Sequence, residues 1–339
     1  MESRARSHLL QKRLSLTAQY LMGRILTYGL CLLFAALLAA CEPSSPNAPE
    51  SSQTPGSPVK TISSPVEIGS MKALGQYYDS IGFNLSKNPD ILYDVPRLQI
   101  THIPKNWKQE TSIPLKQSVF FRTMIIMALE VNEEILKERC RLINLETEQQ
   151  MTENDRKWLA SVMKKYRVSK RKGPYTPAEM AELHIRIDII PASLTVVQAA
   201  IESAWGSSRF AREGNALFGQ WTVKGRGIKA RKSDAWLAAF DSPRASVAAY
   251  CLNLNTHPSY SIFRVARAAM RRECRPLNGL ELAQHLEKYS AKGVEYTSLV
   301  ENMIIRHGLE VADRAQLSEG PEIAVQLLDS PAAYSDTTS

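Results

Sequence analysis

The chain has 339 residues, of which 44% are hydrophobic and 22% charged, a balance that is typical of globular proteins and excludes a wholly disordered chain. Its formal net charge is +8, but residues 1–40 carry five basic residues against one acidic residue, so the charge without them is +4. This length can bury one good-sized core or two modest ones.

The first predicted element is an export signal. Arg24 precedes an uncharged stretch, "ILTYGLCLLFAALLAAC", that is too short to span a bilayer comfortably and ends in small residues. Residues 38–41, "LAAC", resemble a bacterial lipobox, in which the signal is cut before the cysteine and the new terminal residue is acylated. The resemblance implies a signal peptide at 1–40, lipidation at Cys41 and a periplasmic protein anchored to a bacterial membrane. Glu42 favours the outer membrane, and nucleic acid is a poor partner for such a lipoprotein.

A tether and a helical region are predicted next. Residues 41–66 are rich in Pro and Ser and poor in large apolar groups, so they cannot bury enough surface to offset their ordering entropy. They are predicted to be a flexible tether, followed by a helical N-terminal region at 67–174. Its first part, residues 67–115, shows no clear periodicity of apolar residues. From Lys116 to about Leu145 apolar residues recur at spacings of three and four, which predicts a long helix.

The rest of the chain is predicted to be mainly helical around a small β-lobe. Two capping boxes, "TEND" and "TPAE", open helices at about 153–166 and 177–186. Residues 216–241 have glycine turns and short alternating runs, which favour a β-hairpin lobe. The polar residues 312–339 are predicted to be a disordered tail. Apolar periodicity predicts further helices at 243–255, 262–272, 279–288 and 295–307.

The cysteines and histidines indicate neither a disulfide framework nor a metal site. Outside the predicted signal and lipobox three cysteines remain, and this odd number argues against a full set of disulfides. Cys251 lies on the apolar stripe of its helix, which predicts a buried thiol. No His-x-x-x-His or Cys-x-x-Cys spacing occurs, so the sequence predicts no metal and no cofactor.

Two polar features on the predicted helices have both structural and functional interpretations. Arg264, Arg267 and Arg271 lie at helical spacing and are predicted to form a solvated face, with attraction to the carboxylates of peptide stems as the other interpretation. Asn132 interrupts an apolar helix face and is predicted to bond to backbone rather than to line a groove.

The stretch "VVQAAIESAWGSSRF", residues 196–210, places Glu202 near the end of an apolar helix that begins after Pro191. Small apolar neighbours allow close packing, so water is scarce around this carboxylate. Desolvation disfavours the charged form, and a carboxyl that keeps its proton to higher pH suits a general acid for glycosidic bond cleavage. An isolated buried glutamate is more often half of a structural ion pair, here with Arg209 or Arg212.

Three segments resemble one enzyme family. Residues 198–222, "QAAIESAWGSSRFAREGNALFGQWT", resemble the signature of the bacterial glucosaminidases of glycoside hydrolase family 73, because two of its motifs occur at the family's separation. Residues 289–304, "YSAKGVEYTSLVENMI", resemble the later tyrosine motif, and the long upstream helix resembles the Bax branch of the superfamily. The resemblance implies a lysozyme-like, mainly α (α+β) catalytic domain at 175–311, with a β-hairpin lobe beside a groove for peptidoglycan glycan strands.

The resemblance also implies roles for individual residues. Glu202 is implied to be the proton donor. Many family members carry a second glutamate in the β-lobe, where this chain offers only Asp234, among basic residues that favour a solvated turn charge. The substrate's acetamido group could replace that carboxylate, with Tyr289 orienting it. Residues with aromatic faces or polar groups that could bind sugar are Trp205, Asn215, Phe218, Trp221 and Tyr296.

The favoured function is a lipid-anchored endo-β-N-acetylglucosaminidase acting on peptidoglycan. A lytic transglycosylase also places Glu before Ser at a helix end, but it follows with a "GLMQ"-like segment where this chain has "NALFGQW". The other alternative is a non-catalytic wall-binding lipoprotein, which the missing second glutamate leaves open.

Overall fold

The computed structural model describes residues 65–85, 94–102, 105–147, 150–231 and 233–328. The predicted signal peptide, Cys41 and all but the last two residues of the predicted tether lie outside this part of the chain. The described residues all belong to one compact unit, Ile62–Ser339. They are mainly helical with small sheets, which confirms the predicted fold class.

The helices carry most of the fold. They are α1 (Met71–Ser80), α2 (Ile113–Thr147), α3 (Glu153–Lys165), α4 (Pro177–Arg186), α5 (Ala192–Ser203), α6 (Arg209–Gly214), α7 (Pro243–Thr256), α8 (Ser261–Arg272), α9 (Gly279–Ala283) and α10 (Val294–His307). Short 3-10 helices cover Lys105–Gln109, Pro258–Tyr260, Glu287–Tyr289 and Leu309–Arg314. In the ranges that the structure describes, no helix is both long and apolar enough to cross a bilayer.

Local capping signals fix several helix starts. Thr152 and Thr176 each accept a hydrogen bond from the third residue of the following helix, and the side chain of that residue bonds back to the threonine amide. Both predicted capping boxes are therefore confirmed. The helix predicted at 279–288 is shorter, because α9 ends at Ala283 and a separate 3-10 turn then carries Tyr289.

The strands are short and lie far apart in the sequence. They are β1 (Val66–Ile68), β2 (Asp94–Val95), β3 (Leu98–Ile100), β4 (Trp221–Thr222), β5 (Gly227–Lys229), β6 (Trp236–Ala238), β7 (Gln316–Leu317) and β8 (Ile323–Leu327). Strand β8 lies between β1 and β3 and is parallel to both, while β2 pairs in parallel with β7.

The prediction of a disordered tail is wrong for residues 312–328. Val325 pairs with both Val66 and Ile100, so the end of the described chain is hydrogen-bonded to its beginning. A strand of five residues whose partners are so distant in sequence leaves no local pattern to identify it.

The β-lobe, residues 221–238, is a three-stranded antiparallel sheet rather than a simple hairpin. Strand β6 is central, and Leu237 faces Trp221 on one side and Ile228 on the other. Gly227 is required here, because a Cβ at this position would collide with the carbonyl oxygen of Leu237.

Helix α5 lies at the centre of the helical core. Every residue from Ala192 to Ala200 is buried, and the helix packs against α2, α9 and α10. The Nδ2 of Asn132 in α2 donates to the carbonyl of Ile190 (2.8 Å), and the amide of Ile190 donates to the Asn132 Oδ1 (3.2 Å). The prediction that Asn132 bonds to backbone is thus confirmed, and the contact fixes where α5 begins.

The arginines of α8 are not a solvated face, so that prediction is wrong. Arg264 and Arg267 are buried. The Arg267 guanidinium donates to the carbonyls of Ile185 and Asp188 and to the side chain of Asn255, at 2.7–3.1 Å. Arginine is buried here because it satisfies backbone carbonyls that the end of α4 leaves without partners, which no charge pattern in the sequence reveals.

None of the described cysteines forms a disulfide. Cys251 is buried on α7, as predicted, while Cys140 and Cys274 are exposed. Burial raises the pKa of the Cys251 thiol to about 12, so it stays neutral and acts as a small apolar side chain.

Candidate active site

Glu202 lies on the last turn of α5, where the chain turns sharply. Ala204, Trp205 and Gly206 follow with φ values of 50°, 58° and 72°. The Ser203 hydroxyl holds this turn, since it accepts from the Gly206 amide (2.8 Å). Left-handed backbone is costly for alanine and tryptophan and persists only where the surroundings enforce it. The turn ends the helix one residue after Glu202, which places the carboxyl at the margin of the core.

The Glu202 carboxyl is half-buried and has one hydrogen-bond partner among the described residues. The Tyr296 hydroxyl donates to its Oε1 at 3.0 Å. Its other oxygen, Oε2, lies on the side of Gly219, 3.9 Å from where a Cβ on that glycine would be. Burial raises the pKa of Glu202, and the bond from Tyr296 lowers it by less. The carboxyl therefore keeps its proton to higher pH than an exposed glutamate does.

The structural interpretation of Glu202 as half of an ion pair does not hold. Arg209 pairs with Glu213 at 3.0 Å and also donates to the carbonyl of Lys229. The Nε of Arg212 donates to the carbonyl of Ser207. In the described part of the chain no basic residue forms an ion pair with Glu202, so burial acts on its carboxyl without a compensating charge.

Tyrosine rings enclose the site on the side of α7 and α10. Tyr289 stacks on Tyr296 with ring centroids 5.4 Å apart and meets Tyr250 edge-on at 6.3 Å. Burial, then the nearby Tyr296 and Glu202, raise the pKa of Tyr289 well above its ordinary value, so its hydroxyl is a neutral donor. In the described part of the chain that hydroxyl makes no hydrogen bond to another residue.

Two residues of the site were missed by sequence reasoning. The Tyr250 hydroxyl donates to the Gln198 Oε1, and the Gln198 Nε2 donates to the Tyr296 oxygen at 2.9 Å. A chain of hydrogen bonds therefore runs from Tyr250 through Gln198 and Tyr296 to Glu202. The available signal was spacing, because Gln198 lies four residues before Glu202 and shares its helix face.

Two of the predicted sugar-binding aromatics pack against other aromatic rings of the structure. Phe218 is 4% exposed and stacks on Tyr250 at 4.0 Å, so its face is covered. Trp205 is half-buried and packs edge-on against Phe120 and Phe121 of α2, at 5.9 and 5.1 Å. The left-handed turn after α5 directs Trp205 to α2, which its position next to Glu202 in the sequence did not indicate.

Asn215 and Tyr296, also predicted to bind sugar, have other partners. Asn215 ends α6 in a left-handed conformation and its Nδ2 donates to the carbonyl of Phe240 (3.0 Å), which joins α6 to the end of the β-lobe. Tyr296 is 3% exposed and its hydroxyl is bonded to Glu202 and Gln198. Trp221 differs from both, since it lies on the β-lobe with 73% of its surface exposed.

Asp234 lies between strands β5 and β6 of the β-lobe. Its side chain is 99% exposed and its Oδ1 forms an ion pair with Lys229 at 2.9 Å. It makes no hydrogen bond to Glu202 or the tyrosines in the described structure. The geometry thus agrees with the solvated-charge interpretation and gives no support to a catalytic carboxylate at this position.

A cavity of about 930 Å³ lies away from these residues, between α2, the segment after β3 and the start of α7. Its buried carboxyl, Glu130, is paired with Arg244 at 3.3 Å, and burial raises the pKa of Glu130 to about 7. Arg244 also pairs with Glu134, and Arg97 with Glu133. None of the predicted site residues lines this cavity. Nor do the described residues hold any group of three His, Cys, Asp or Glu side chains that suits a metal ion.

Comparison with known families defines the class of domain first. Residues 178–309 match the Glucosaminidase family model, described as mannosyl-glycoprotein endo-beta-N-acetylglucosaminidase. This range runs from α4 to the end of α10, so it includes Glu202, the tyrosines and the β-lobe. The lysozyme-like helical fold predicted from the sequence is thereby confirmed, and the domain belongs to a class of glycosidases.

The wider chain identifies the branch of that class. The sequence is 36% identical over 196 residues to Protein bax of Escherichia coli (strain K12), an alignment that spans 58% of this chain and 71% of that protein. The chain therefore belongs to the family of bacterial Bax-type proteins with a glucosaminidase domain. No solved structure matches it.

Proposed function

We propose that the protein is an endo-β-N-acetylglucosaminidase that hydrolyses the glycan strands of peptidoglycan with Glu202 as general acid. One observation carries the proposal: among the described residues of the glucosaminidase domain, a half-buried glutamate forms no ion pair with a basic residue and has a raised pKa. The leaving oxygen of a glycosidic bond needs a proton, and a carboxyl that stays protonated closer to neutral pH can supply it.

The substrate's own acetamide is the proposed second catalytic group. The exposed, ion-paired Asp234 is poorly placed to stabilise a cation-like transition state. Tyr289 stacks on the tyrosine that bonds Glu202, and burial keeps its hydroxyl neutral and able to donate. A hydroxyl there can orient the acetamide oxygen toward the anomeric carbon, one of the known exceptions to the two-carboxylate scheme. Trp221 of the β-lobe supplies an exposed face on which a sugar ring can stack.

The test is digestion of purified peptidoglycan sacculi with the full-length protein and with Glu202→Gln, followed by mass spectrometry of the products. The proposal expects fragments ending in reducing N-acetylglucosamine from the native protein and none from the variant. Anhydro sugar ends would identify a lytic transglycosylase instead. Binding of sacculi without release of fragments would identify a wall-binding protein, the alternative that the position of Asp234 favours.

We further propose that the protein is a lipoprotein of the periplasm, acylated at Cys41 and held at the outer membrane. The lipobox-like "LAAC" segment supports the modification, and Glu42 supports the choice of membrane. More than one acyl chain anchors a protein stably. Cys41→Ser should move the protein from the membrane fraction to the soluble fraction on cell fractionation. A variant that stays with the membranes would contradict the anchor.

A further inference from the structure

The hydrogen-bond chain that ends on Glu202 is buried along most of its length. Tyr250 and Gln198 are fully buried and Tyr296 is 3% exposed. The chain runs from the Tyr250 hydroxyl to the Gln198 amide, then over 2.9 Å to the Tyr296 hydroxyl and over 3.0 Å to the Glu202 Oε1. Because these groups are cut off from water, each must satisfy its hydrogen bonds within the chain.

Tyr250 fixes the direction in which the chain runs. Its ring is covered by Phe218, and among the described residues its hydroxyl bonds only to Gln198. A buried phenol that cannot donate loses a hydrogen bond, so the Tyr250 proton goes to the Gln198 Oε1. The amide nitrogen of Gln198 then faces Tyr296 and donates to its oxygen. If the Gln198 amide were flipped, its NH2 group would face the Tyr250 hydroxyl, and the proton of that hydroxyl would have no acceptor.

The direction of the chain decides which oxygen of Glu202 can carry a proton. Since Gln198 donates to the Tyr296 oxygen, the Tyr296 proton is directed to Oε1 of Glu202. A proton on Oε1 would face this donor, so the neutral acid must carry its proton on Oε2. That is the oxygen on the side of Gly219, away from the tyrosines.

We propose that Gln198 and Tyr250 are positioning residues that set the direction of this hydrogen-bond chain and so keep the transferable proton of Glu202 on Oε2. The inference rests on the proposed role of Glu202 as general acid. Neither residue touches the substrate, and each acts through Tyr296. If the direction reverses, Glu202 donates its proton to the Tyr296 oxygen and no longer presents it on the Gly219 side.

The principal variant is Tyr250→Phe, which keeps the ring that stacks on Phe218 and removes only the hydroxyl. The Gln198 amide is then free to flip, so neutral Glu202 gains a bond to Tyr296. The titration midpoint of Glu202, followed by NMR of protein with ¹³C-labelled glutamate side chains, should rise. On peptidoglycan fragments kcat should fall about tenfold with KM unchanged, a small part of the roughly 10²–10⁴-fold that general acids contribute. The alkaline limb of the pH profile should move to higher pH.

Tyr260→Phe is the matched control. Tyr260 belongs to the same aromatic cluster, 6.0 Å from Tyr289, but lies outside the hydrogen-bond chain. Loss of the Tyr260 hydroxyl should leave the titration midpoint of Glu202 and kcat at their native values. A second variant, Gln198→Met with Tyr250→Phe, removes both buried partners together and leaves no orphaned polar group, so it guards against misfolding of the single variant. It should shift the titration in the same direction.

The NMR titration needs no turnover, which separates the two proposals. If the native protein releases no fragments but Tyr250→Phe still raises the Glu202 midpoint, the hydrogen-bond chain stands and the glucosaminidase proposal fails. If the native protein is active and the folded Tyr250→Phe variant keeps the native midpoint, the positioning role is overturned, whatever happens to kcat. A midpoint that rises equally in Tyr260→Phe also overturns it.

Discussion

The surroundings of Glu202 and the β-lobe differ in how firmly the fold holds their side chains. Around Glu202, residues of α5, α7 and α10 are buried and joined by consecutive hydrogen bonds. In the β-lobe the strands have two or three residues, Trp221 is 73% exposed and Asp234 is 99% exposed. Bonds that set a proton's position need a site from which water is excluded, whereas a sugar-stacking face must be open. Under the proposed function, the chemistry therefore belongs to the helices and sugar stacking to the lobe.

The largest expected effect on activity comes from a substitution in the buried region, at Glu202. Glu202→Gln keeps the shape of the side chain but removes the donatable proton, so hydrolysis should fall by about 10²–10⁴-fold. The amide can still accept from Tyr296, so thermal unfolding should stay near the native midpoint. Hydrolysis is measured as the release of fragments from sacculi, and the midpoint of thermal unfolding is measured by circular dichroism. Near-native activity in a folded variant would remove Glu202 from the role.

Tyr289→Phe and Asp234→Asn compare one residue of the buried surroundings of Glu202 with one residue of the β-lobe. If the acetamide is the second catalytic group, Tyr289→Phe should lower kcat by about tenfold or more with a smaller change in KM, because the orienting bond matters most in the transition state. Asp234→Asn should change kcat less than about twofold, since only an exposed ion pair is lost. Steady-state kinetics on purified muropeptides compare them. A severe Asp234 defect beside a harmless Tyr289 change would reverse the assignment.

The pH dependence of activity should report on the buried region alone. A general acid works while protonated, so activity should fall as pH rises through the pKa of Glu202, above the pH at which an exposed glutamate titrates. The Tyr296 bond favours the charged carboxylate, so Tyr296→Phe should move this limb to higher pH. Asp234→Asn should leave it in place. A kcat/KM profile in which only the Asp234 variant shifts would locate the titrating group in the lobe.

The smallest effect is expected from Trp221→Ala. Loss of the exposed indole should raise KM by about fivefold, corresponding to about 1 kcal/mol of stacking, with kcat little changed. The side chain is mostly in solvent, so thermal unfolding should not shift. Thr222→Ala on the same strand is the matched control. Unchanged affinity for glycan fragments would mean that the lobe does not stack on sugar through this residue.

The helical part of the fold could be predicted from the sequence because its signals are local. Helix α4 begins one residue after Thr176, whose capping box is readable in four letters, and α2 shows its apolar period within a few turns. Strand β8 could not be predicted, because its partners lie at the opposite end of the chain. The burial of Arg267 was equally hidden, since it depends on carbonyls at the end of α4.

The site was predictable in its central residue and less so in its neighbours. Glu202 and Tyr289 could be identified because both lie in motifs that resemble those of the family. In the structure, Tyr296 bonds to Glu202 and stacks on Tyr289. The packing of Trp205 against α2 could not be predicted, because it depends on the three residues with positive φ that follow Ser203, and such a turn follows from tertiary packing. Gln198 was missed because a polar side chain on a buried helix gives no sign of which partner satisfies it.

The position of β8 has a consequence for the order in which the molecule can fold. It is the middle strand of its sheet, so β1 and β3 have nothing to pair with until residues 323–327 are present. The first segment of the fold must therefore wait for the last, while the helices around Glu202 have their partners closer along the chain. A newly made polypeptide should form the helical core around Glu202 before strands β1 and β3 pair with β8. A chain cut after residue 318 should keep Asp313, whose carboxylate accepts from the amides of Ser193 and Gly279. It would lack β8, so β1 and β3 lose their partner, which makes the chain prone to aggregate.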